Sequence, residues 1–533
     1  MATWTNMFSW TLLLPLVAAA YAVYCVILYR RNKANVQQLP GPRYLWTLFS
    51  MANSVLPNSE WNGGMLLSWI GRHSMWDKYG SEILAFVPII PGQPIMWTRS
   101  VEVARQLLAN KSDWDKAPES VESLGMFGEN LFSSYRDRWA RHRRIVAPGF
   151  NQKLYELVWR ESLRTYYDMV QTEEWLNHGG SYVHPDVIAM TSKIALYLIA
   201  SCGFGMSLAW DGNVGERIRG LSLPECFQIT SDSMIAQIFL PKWAFRLPFK
   251  ALRKVYESNL VIESILMRII EKRRLAGADP VQQGNAKDVF NLLLTANEAE
   301  TDSKNALTDR ELISNCFLLM LAGHETTSHG LGAALGLLAC NPDIQEKAYE
   351  EVMTVVPDGS DPTFQDLESL VYVQASFMEA MRLFPSVNGI PRRAVQDTVL
   401  KVPTKQGSAY DLPIKKGQII VVDFIGLNYN ERHYSHPDEY TPGRWLDPTV
   451  EQGMNFSTGP RVCVGRKFAM VEGTTILAML IRDWKITPIL YEGETLPEWR
   501  VRCMDNAVAA AIGFGPTAFP LRFTKREKAL IAA

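Results

Sequence analysis

Apolar and polar residues are arranged along this chain in three different ways, and each arrangement predicts a different kind of element. Residues 7–29 form a nearly continuous apolar run, and no charged side chain occurs before Arg30. About 20 apolar residues cross a bilayer as an α-helix, so the run predicts a single N-terminal transmembrane helix. Arg30, Arg31 and Lys33 follow at once, which by the positive-inside rule leaves the C-terminal side in the cytosol. Ala20-Tyr21-Ala22 has the small-x-small form of a signal-peptide cleavage site, but there is no basic n-region and the run continues past it. A retained anchor is the better reading.

Short β-type runs and long helical patterns make up the rest. Leu39-Pro40-Gly41-Pro42 breaks any helix and predicts a hinge between an anchor over residues 1–35 and a body over 36–533. Residues 81–98, rich in Ile, Val, Phe and Pro around a Pro-Gly turn, predict a hairpin, and 417–424 predicts a strand. Thr308-Asp309-Arg310-Glu311 has the form of a capping box. It starts a helix that runs to about Ala339, where Asn341-Pro342 ends it. The glycine-containing stretch 120–132 reads as an irregular apolar loop, 276–287 as a polar surface loop, and 500–523 as strands and turns. Residues 239–249 mix aromatics with two basic residues; such a run suits a membrane interface or the protein's own core equally well. The expected fold class is mostly α with a small β region.

Composition narrows the function. Over 533 residues, 47% are hydrophobic and 20% charged, an ordinary globular balance. Length alone suggests several domains, but a body wrapped round a large cofactor is one continuous unit. A net charge of -1 gives no basic surface for nucleic acid. Seven cysteines without any Cys-x-x-Cys spacing point to a reducing compartment rather than a disulfide scaffold. Asn110-Lys111-Ser112 and Asn455-Phe456-Ser457 have the form of glycosylation sequons and are expected to stay unused in a cytosolic body.

The chemistry concentrates near the C-terminal end, in Phe456-Ser457-Thr458-Gly459-Pro460-Arg461-Val462-Cys463-Val464-Gly465. Glycines let a loop wrap closely round one sulfur. Amides aimed at that sulfur and a neighbouring arginine favour thiolate over thiol, the form a metal needs. Upstream, Trp139 and Arg143 share one helix face and can present an indole N–H and a guanidinium to one anion. Ala322-Gly323-His324-Glu325-Thr326-Thr327 puts small residues and a backbone-bonding hydroxyl inside the predicted long helix, loosening it locally. Glu379 and Arg382 lie three apart on another helix, and Arg444 follows in Pro442-Gly443-Arg444-Trp445.

The loop around Cys463 resembles the cysteine-ligand loop of the cytochrome P450 family, filling every fixed position of Phe-x-x-Gly-x-Arg-x-Cys-x-Gly. The other motifs match in family order, so the likeness covers nearly all of the chain after the anchor, and it points to the eukaryotic microsomal type. It implies the cytochrome P450 fold, with haem b bound between the helix of Thr326 and the loop of Cys463, and the Cys463 thiolate as axial ligand. It implies that Arg461, Phe456, Gly459 and Gly465 shape the cofactor loop. Trp139, Arg143 and Arg392, or Arg393 in its place, would meet the propionates. Thr326 and Glu325 would handle oxygen and protons, and Glu379, Arg382 and Arg444 would form a structural network in which Trp445 stands where Phe is commoner. Ala322, Val387, Asn388, Ile390 and Phe514 would border the substrate.

The implied activity is insertion of one oxygen atom from O2 into an apolar small molecule. NADPH and flavins would enter only through a separate cytochrome P450 reductase, with cytochrome b5 as a further partner, at an endoplasmic reticulum membrane with the body in the cytosol. Arg141, Arg144 and Lys467 would offer a cationic face to the acidic reductase. The run Arg143-Arg144-Ile145-Val146-Ala147-Pro148-Gly149-Phe150 looks like fungal members that tailor secondary metabolites. A terpenoid is therefore the expected substrate, with fatty acids and xenobiotics as runners-up. A haem-thiolate isomerase would not need Glu325 and Thr326, and a non-catalytic haem or lipid carrier would show no oxygen-dependent turnover.

Overall fold

The computed structural model describes residues 4–109, 112–118, 123–206, 208–211, 217–275, 288–300, 304–404, 407–447, 454–509 and 513–527. The expected surface loop at 276–287, residues 120–122 and the first two residues of the 110–112 sequon lie outside the described residues. The chain divides into two compact units, Met1–Glu119 with Gly389–Tyr434, and Ser120–Asn388 with Ser435–Ala533.

The first unit begins with the helix Trp4–Asn35, longer at both ends than the apolar run predicts. Its segment Leu13–Asn35 is exposed and, with a mean hydropathy of 1.8, is long and apolar enough to cross a membrane. It fits a single anchor. The Leu39–Pro42 stretch is bonded into the unit rather than free as a hinge. Ala85 N–H donates to Pro40 O at 2.8 Å, and Arg43 Nη1 donates to the carbonyls of Gly41 and Ala85 at 2.7 and 2.8 Å.

The predicted hairpin forms as Ile83–Phe86 against Ile95–Thr98, antiparallel, with Ile83 opposite Thr98. It continues into a five-stranded sheet through the parallel strand Ile419–Asp423, then Gly389–Ala394 and Trp114–Lys116. Every residue of Ile419–Asp423 is buried, which explains why Ile419–Val422 is apolar throughout rather than alternating. Trp76, Leu84, Phe86, Ile95 and Val421 form the core beside it.

The second unit is mostly helical, with a three-stranded antiparallel sheet of Ser181–His184, Leu521–Lys525 and Trp484–Pro488 and a two-stranded one of Ala507–Ala509 and Phe514–Pro516. At its centre is Asp309–Cys340, begun by the predicted capping box: Thr308 Oγ1 accepts the Glu311 N–H and the Glu311 carboxylate accepts the Thr308 N–H. This helix is apolar on nearly all sides, as a buried helix should be. Val187–Leu198, Val371–Leu383 and Arg466–Asp483 pack around it.

The helix Val371–Leu383 carries Glu379 and Arg382, both with 0% exposed side chain. Two charges taken out of water stabilise a fold only when their remaining valences are filled. Here they are. Arg382 Nε and Nη2 each donate to Glu379 at 2.9 Å, Arg444 Nε at 2.9 Å, the Thr441 amide at 3.0 Å and the Trp445 indole N–H at 2.9 Å. The spare guanidinium protons of Arg382 reach Pro437 O and Glu439 O at 2.7 and 3.0 Å. Tryptophan at 445 thus supplies a donor that phenylalanine lacks.

Removing Arg382 takes two of the five donors and one of the two cations from the buried Glu379, so Arg382→Ala is expected to cost about 3–5 kcal/mol. Trp445→Phe, which deletes one hydrogen bond to a charged group, should cost about 1.5–3 kcal/mol and still fold. Denaturant unfolding of the three proteins measures both.

Candidate active site

Cys463 lies between two short turns, Met454–Phe456 and Gly459–Arg461, and the helix Arg466–Asp483. The loop closes on itself: the Cys463 amide donates to Phe456 O at 3.0 Å, and Val462 N–H to Gly459 O at 3.1 Å. Gly459 has φ of +73°, a left-handed conformation costly for any residue with a Cβ. Gly465 has ordinary φ of -85°. An added Cβ there would stand 3.9 Å from the Cys463 sulfur, an ordinary van der Waals contact, so the sulfur's surroundings do not themselves demand a glycine.

Among the described cysteines only Cys463 is exposed. Yet protein crowds its thiol closely enough that burial is the largest influence on it, pushing its pKa above the ordinary value. The Gly465 amide, the Arg143 charge, and the amide and charge of Arg466 act the other way.

The charges near the sulfur are not those the motif suggests. Arg461 is turned away, its guanidinium 4.6 Å above the Trp139 ring and Nη1 donating to Ser134 O at 3.2 Å. Trp139 and Arg143 both lie on the helix Arg136–Val146. Arg143 Nη1 donates to Val462 O at 3.0 Å. Both residues therefore bind this helix to the cysteine loop, one by a cation–π contact and one by a hydrogen bond. Arg141 pairs with Glu311, and Arg144 with Glu300. Lys467 Nζ lies 5.2 Å from the Tyr155 ring.

The central helix has one open stripe. From Leu312 to Ala339 it is buried except at Leu319, Ala322, Gly323 and Thr326, whose spacing of three, one and three puts them on one face. Thr326 Oγ1 donates to Ala322 O at 2.6 Å, the predicted bond to the preceding turn. The helix stays continuous across it, without the local loosening expected there. Glu325 points elsewhere: it is buried, accepting from Ser231 Oγ at 3.2 Å.

One accessible sulfur with amides behind it, a small-residue stripe on a buried helix, and a Trp–Arg pair tied to the sulfur's loop fit a haem held by a thiolate. The Cytochrome P450 family model matches residues 85–498.

The chain belongs to the cytochrome P450 family.

It is 30% identical to cytochrome P450 monooxygenase 124 of Postia placenta, over 93% of this chain and 96% of that protein. It is 26% identical to the phomenoic acid biosynthesis cluster cytochrome P450 monooxygenase of Leptosphaeria maculans, over 89% and 86% of the two chains. Its identity to cytochrome P450 4c21 of Blattella germanica is also 26%, over 87% and 91%. As a P450 it is an oxygenase that uses thiolate-ligated haem, in a family that works with redox partners and hydrophobic substrates.

Other expected site residues of this P450 are spread more widely. Val387 is half-buried just beyond Ser386. Phe514 is fully buried, and its amide donates to Ser386 O at 2.8 Å. Ile390 and Arg392 lie on Gly389–Ala394 in the first unit, where Arg392 is buried and donates to Pro391 O at 3.1 Å. Sequence reasoning missed Ser386, whose hydroxyl donates to Thr326 O at 2.8 Å, and Ser231. A lone serine carries no pattern; only the fold brings either one to the helix.

His324 and His329 are buried on the same helix. His324 Nε2 lies 2.8 Å from Ser192 Oγ, while Nδ1 of His329 has no hydrogen-bond partner among the described residues and faces Gly515, where an added Cβ would stand 2.6 Å away. Burial lowers both imidazoles to a pKa of about 4. In the unfolded chain they titrate near 6.5. Between about pH 6.5 and 4 the unfolded state binds protons that the folded state refuses, so stability falls as pH is lowered through that window. Each imidazole contributes a slope of at most about 1.4 kcal/mol per pH unit. Unfolding midpoints across this range should drop with acid, and less steeply in His329→Gln.

Proposed function

We propose that this P450 is held in the endoplasmic reticulum membrane with its body in the cytosol, receives electrons from NADPH through a separate reductase with cytochrome b5 as a further donor, and oxygenates a terpenoid or related secondary metabolite. The observation that carries the reading is Cys463, an exposed residue whose thiol is crowded by protein, with two amides and two guanidiniums that favour its thiolate. Bound haem iron would supply the oxygen chemistry, and a thiolate ligand favours O–O cleavage.

The chain's own residues do the rest. Gly465 and Arg466 stabilise the charged sulfur, Gly459 and Phe456 close its loop, and Arg461 braces Trp139. Trp139 and Arg143, the latter also bonded to Val462 O, would hold the propionates with an indole N–H and a guanidinium. Thr326 holds oxygen and ordered water with its hydroxyl on the open stripe, and Glu325 supplies protons. Ala322 and Val387 border the substrate, with Phe514 supporting that border from behind through Ser386.

An apolar substrate suits the half-buried Leu319 and Ala322. Two similar relatives come from fungi, and one is named for a biosynthesis cluster; this favours a secondary metabolite. The cytosolic orientation is supported by Arg30, Arg31 and Lys33 at the end of the anchor helix. A second contact with lipid is supported by Trp243 and Phe249, 65% and 61% exposed around the turn Lys242–Arg246. Arg141 and Arg144 have carboxylate partners of their own, so the reductase face relies more on Arg466 and Lys467, both exposed.

Reconstitution with reductase and NADPH, offering farnesol, limonene, lauric acid and 7-ethoxycoumarin, tests the reading. Oxygen-dependent hydroxylation of the terpenoids is expected; preference for lauric acid or ethoxycoumarin would displace it. In Thr326→Ala, product per NADPH should fall roughly tenfold as hydrogen peroxide rises. Unchanged coupling would remove Thr326 from its role.

A further inference from the structure

Glu325 is buried beside a glycine and a serine that no motif singles out. Ser231 stands in the last turn of the helix Leu223–Asp232, just before a second helix starts at Met234. Its hydroxyl is 3.2 Å from Glu325 Oε1, and the residue is half-buried, so it reaches solvent where Glu325 does not. On another side Gly513 covers the same side chain: an added Cβ would stand 2.8 Å from Glu325 Cγ and 3.3 Å from Cδ. The carboxylate is thus held between a glycine that leaves it just enough room and a hydroxyl that opens toward water.

A serine hydroxyl is at once a donor and an acceptor. We propose that Ser231 is the outer end of the proton supply to Glu325: it gives its proton to the carboxylate as it takes one from solvent, and is itself unchanged after each transfer. Ser231 is a positioning residue in this scheme, because it acts through Glu325. The inference rests on the reading of Glu325 as the proton donor of the oxygenation.

The scheme predicts more than a packing role. Alanine at 231 removes the transfer group and little volume, threonine restores a hydroxyl, and alanine at 513 presses on Glu325 Cγ and His329 Cδ2, each 2.8 Å from the added Cβ, while leaving the Ser231 hydroxyl in the chain. The test uses full-length holoenzyme with reductase, NADPH and air and no organic substrate, so that turnover is read as NADPH oxidation. The rate is followed in H2O and D2O, and the carbon monoxide difference spectrum of each variant reports whether its haem site is intact.

Ser231→Ala and Gly513→Ala are expected to oxidise NADPH roughly threefold or more slowly than wild type, with an altered H2O/D2O ratio. Ser231→Thr should return both quantities toward wild type. If Ser231→Ala matches wild type in rate and isotope ratio while Glu325→Gln is impaired, Ser231 is not the route and Glu325 keeps its role. If Glu325→Gln also matches wild type, the proton-donor reading fails and this inference with it. Should Ser231→Ala not fold, wild-type behaviour of Ser231→Val or of Gly513→Ala would overturn the proposal equally.

Discussion

Burial opposes a charged sulfur at position 463, and much of the second unit can be understood as offsetting that opposition. The net effect on the free thiol is still upward, so the loop alone does not hold a thiolate. It prepares one, with the Gly465 and Arg466 amides and the Arg143 and Arg466 charges in place, and a bound cation completes the balance. Arg143 is the informative member. It reaches the loop from a separate helix through Val462 O, so the electrostatics of the sulfur depend on how that helix is docked.

The same logic governs Glu379, where a full charge with no exposed surface is tolerated because five donors converge on it. Glu379 gathers its hydrogen bonds from separate parts of the chain, whereas Cys463 takes its amides from the next residues and only the Arg143 charge from a distant helix. Neither survives loss of a partner easily, since a buried charge without its donors costs more than the pair contributed. The open stripe on the central helix works in the opposite sense. The small side chain at 322 leaves accessible surface in the middle of an otherwise buried helix, the kind of room a cofactor and an apolar substrate require, whereas the glycine at 323 admits the Ile199 side chain, 3.1 Å from where its Cβ would stand.

Much of this was legible in sequence where one residue type can serve one physical need. The apolar run before Arg30, the capping box at Thr308, the hairpin over 81–98 and the Cys463 loop each follow from local chemistry. What sequence misassigned depends on direction. Arg461 sits two residues before Cys463, yet its side chain turns to Trp139, and the charges acting on the thiol come from Arg143 and Arg466. Trp445 read as a harmless departure from phenylalanine and proves to be a fourth side-chain donor to Glu379. Leu39–Pro42 read as a hinge because prolines stiffen a chain; its carbonyls are instead taken up by Ala85 and Arg43. Ser231 and Ser386 matter only through the neighbours that folding gives them.

The account turns on Cys463 as the thiolate ligand of a haem iron. The most direct measurement is the difference spectrum of the reduced, detergent-solubilised protein under carbon monoxide, recorded for wild type and Cys463→Ala at equal haem content. A strongly red-shifted Soret band in wild type, absent from the variant, is the predicted result. A folded, haem-loaded wild type without that band, or a variant that keeps it, would contradict the assignment of Cys463.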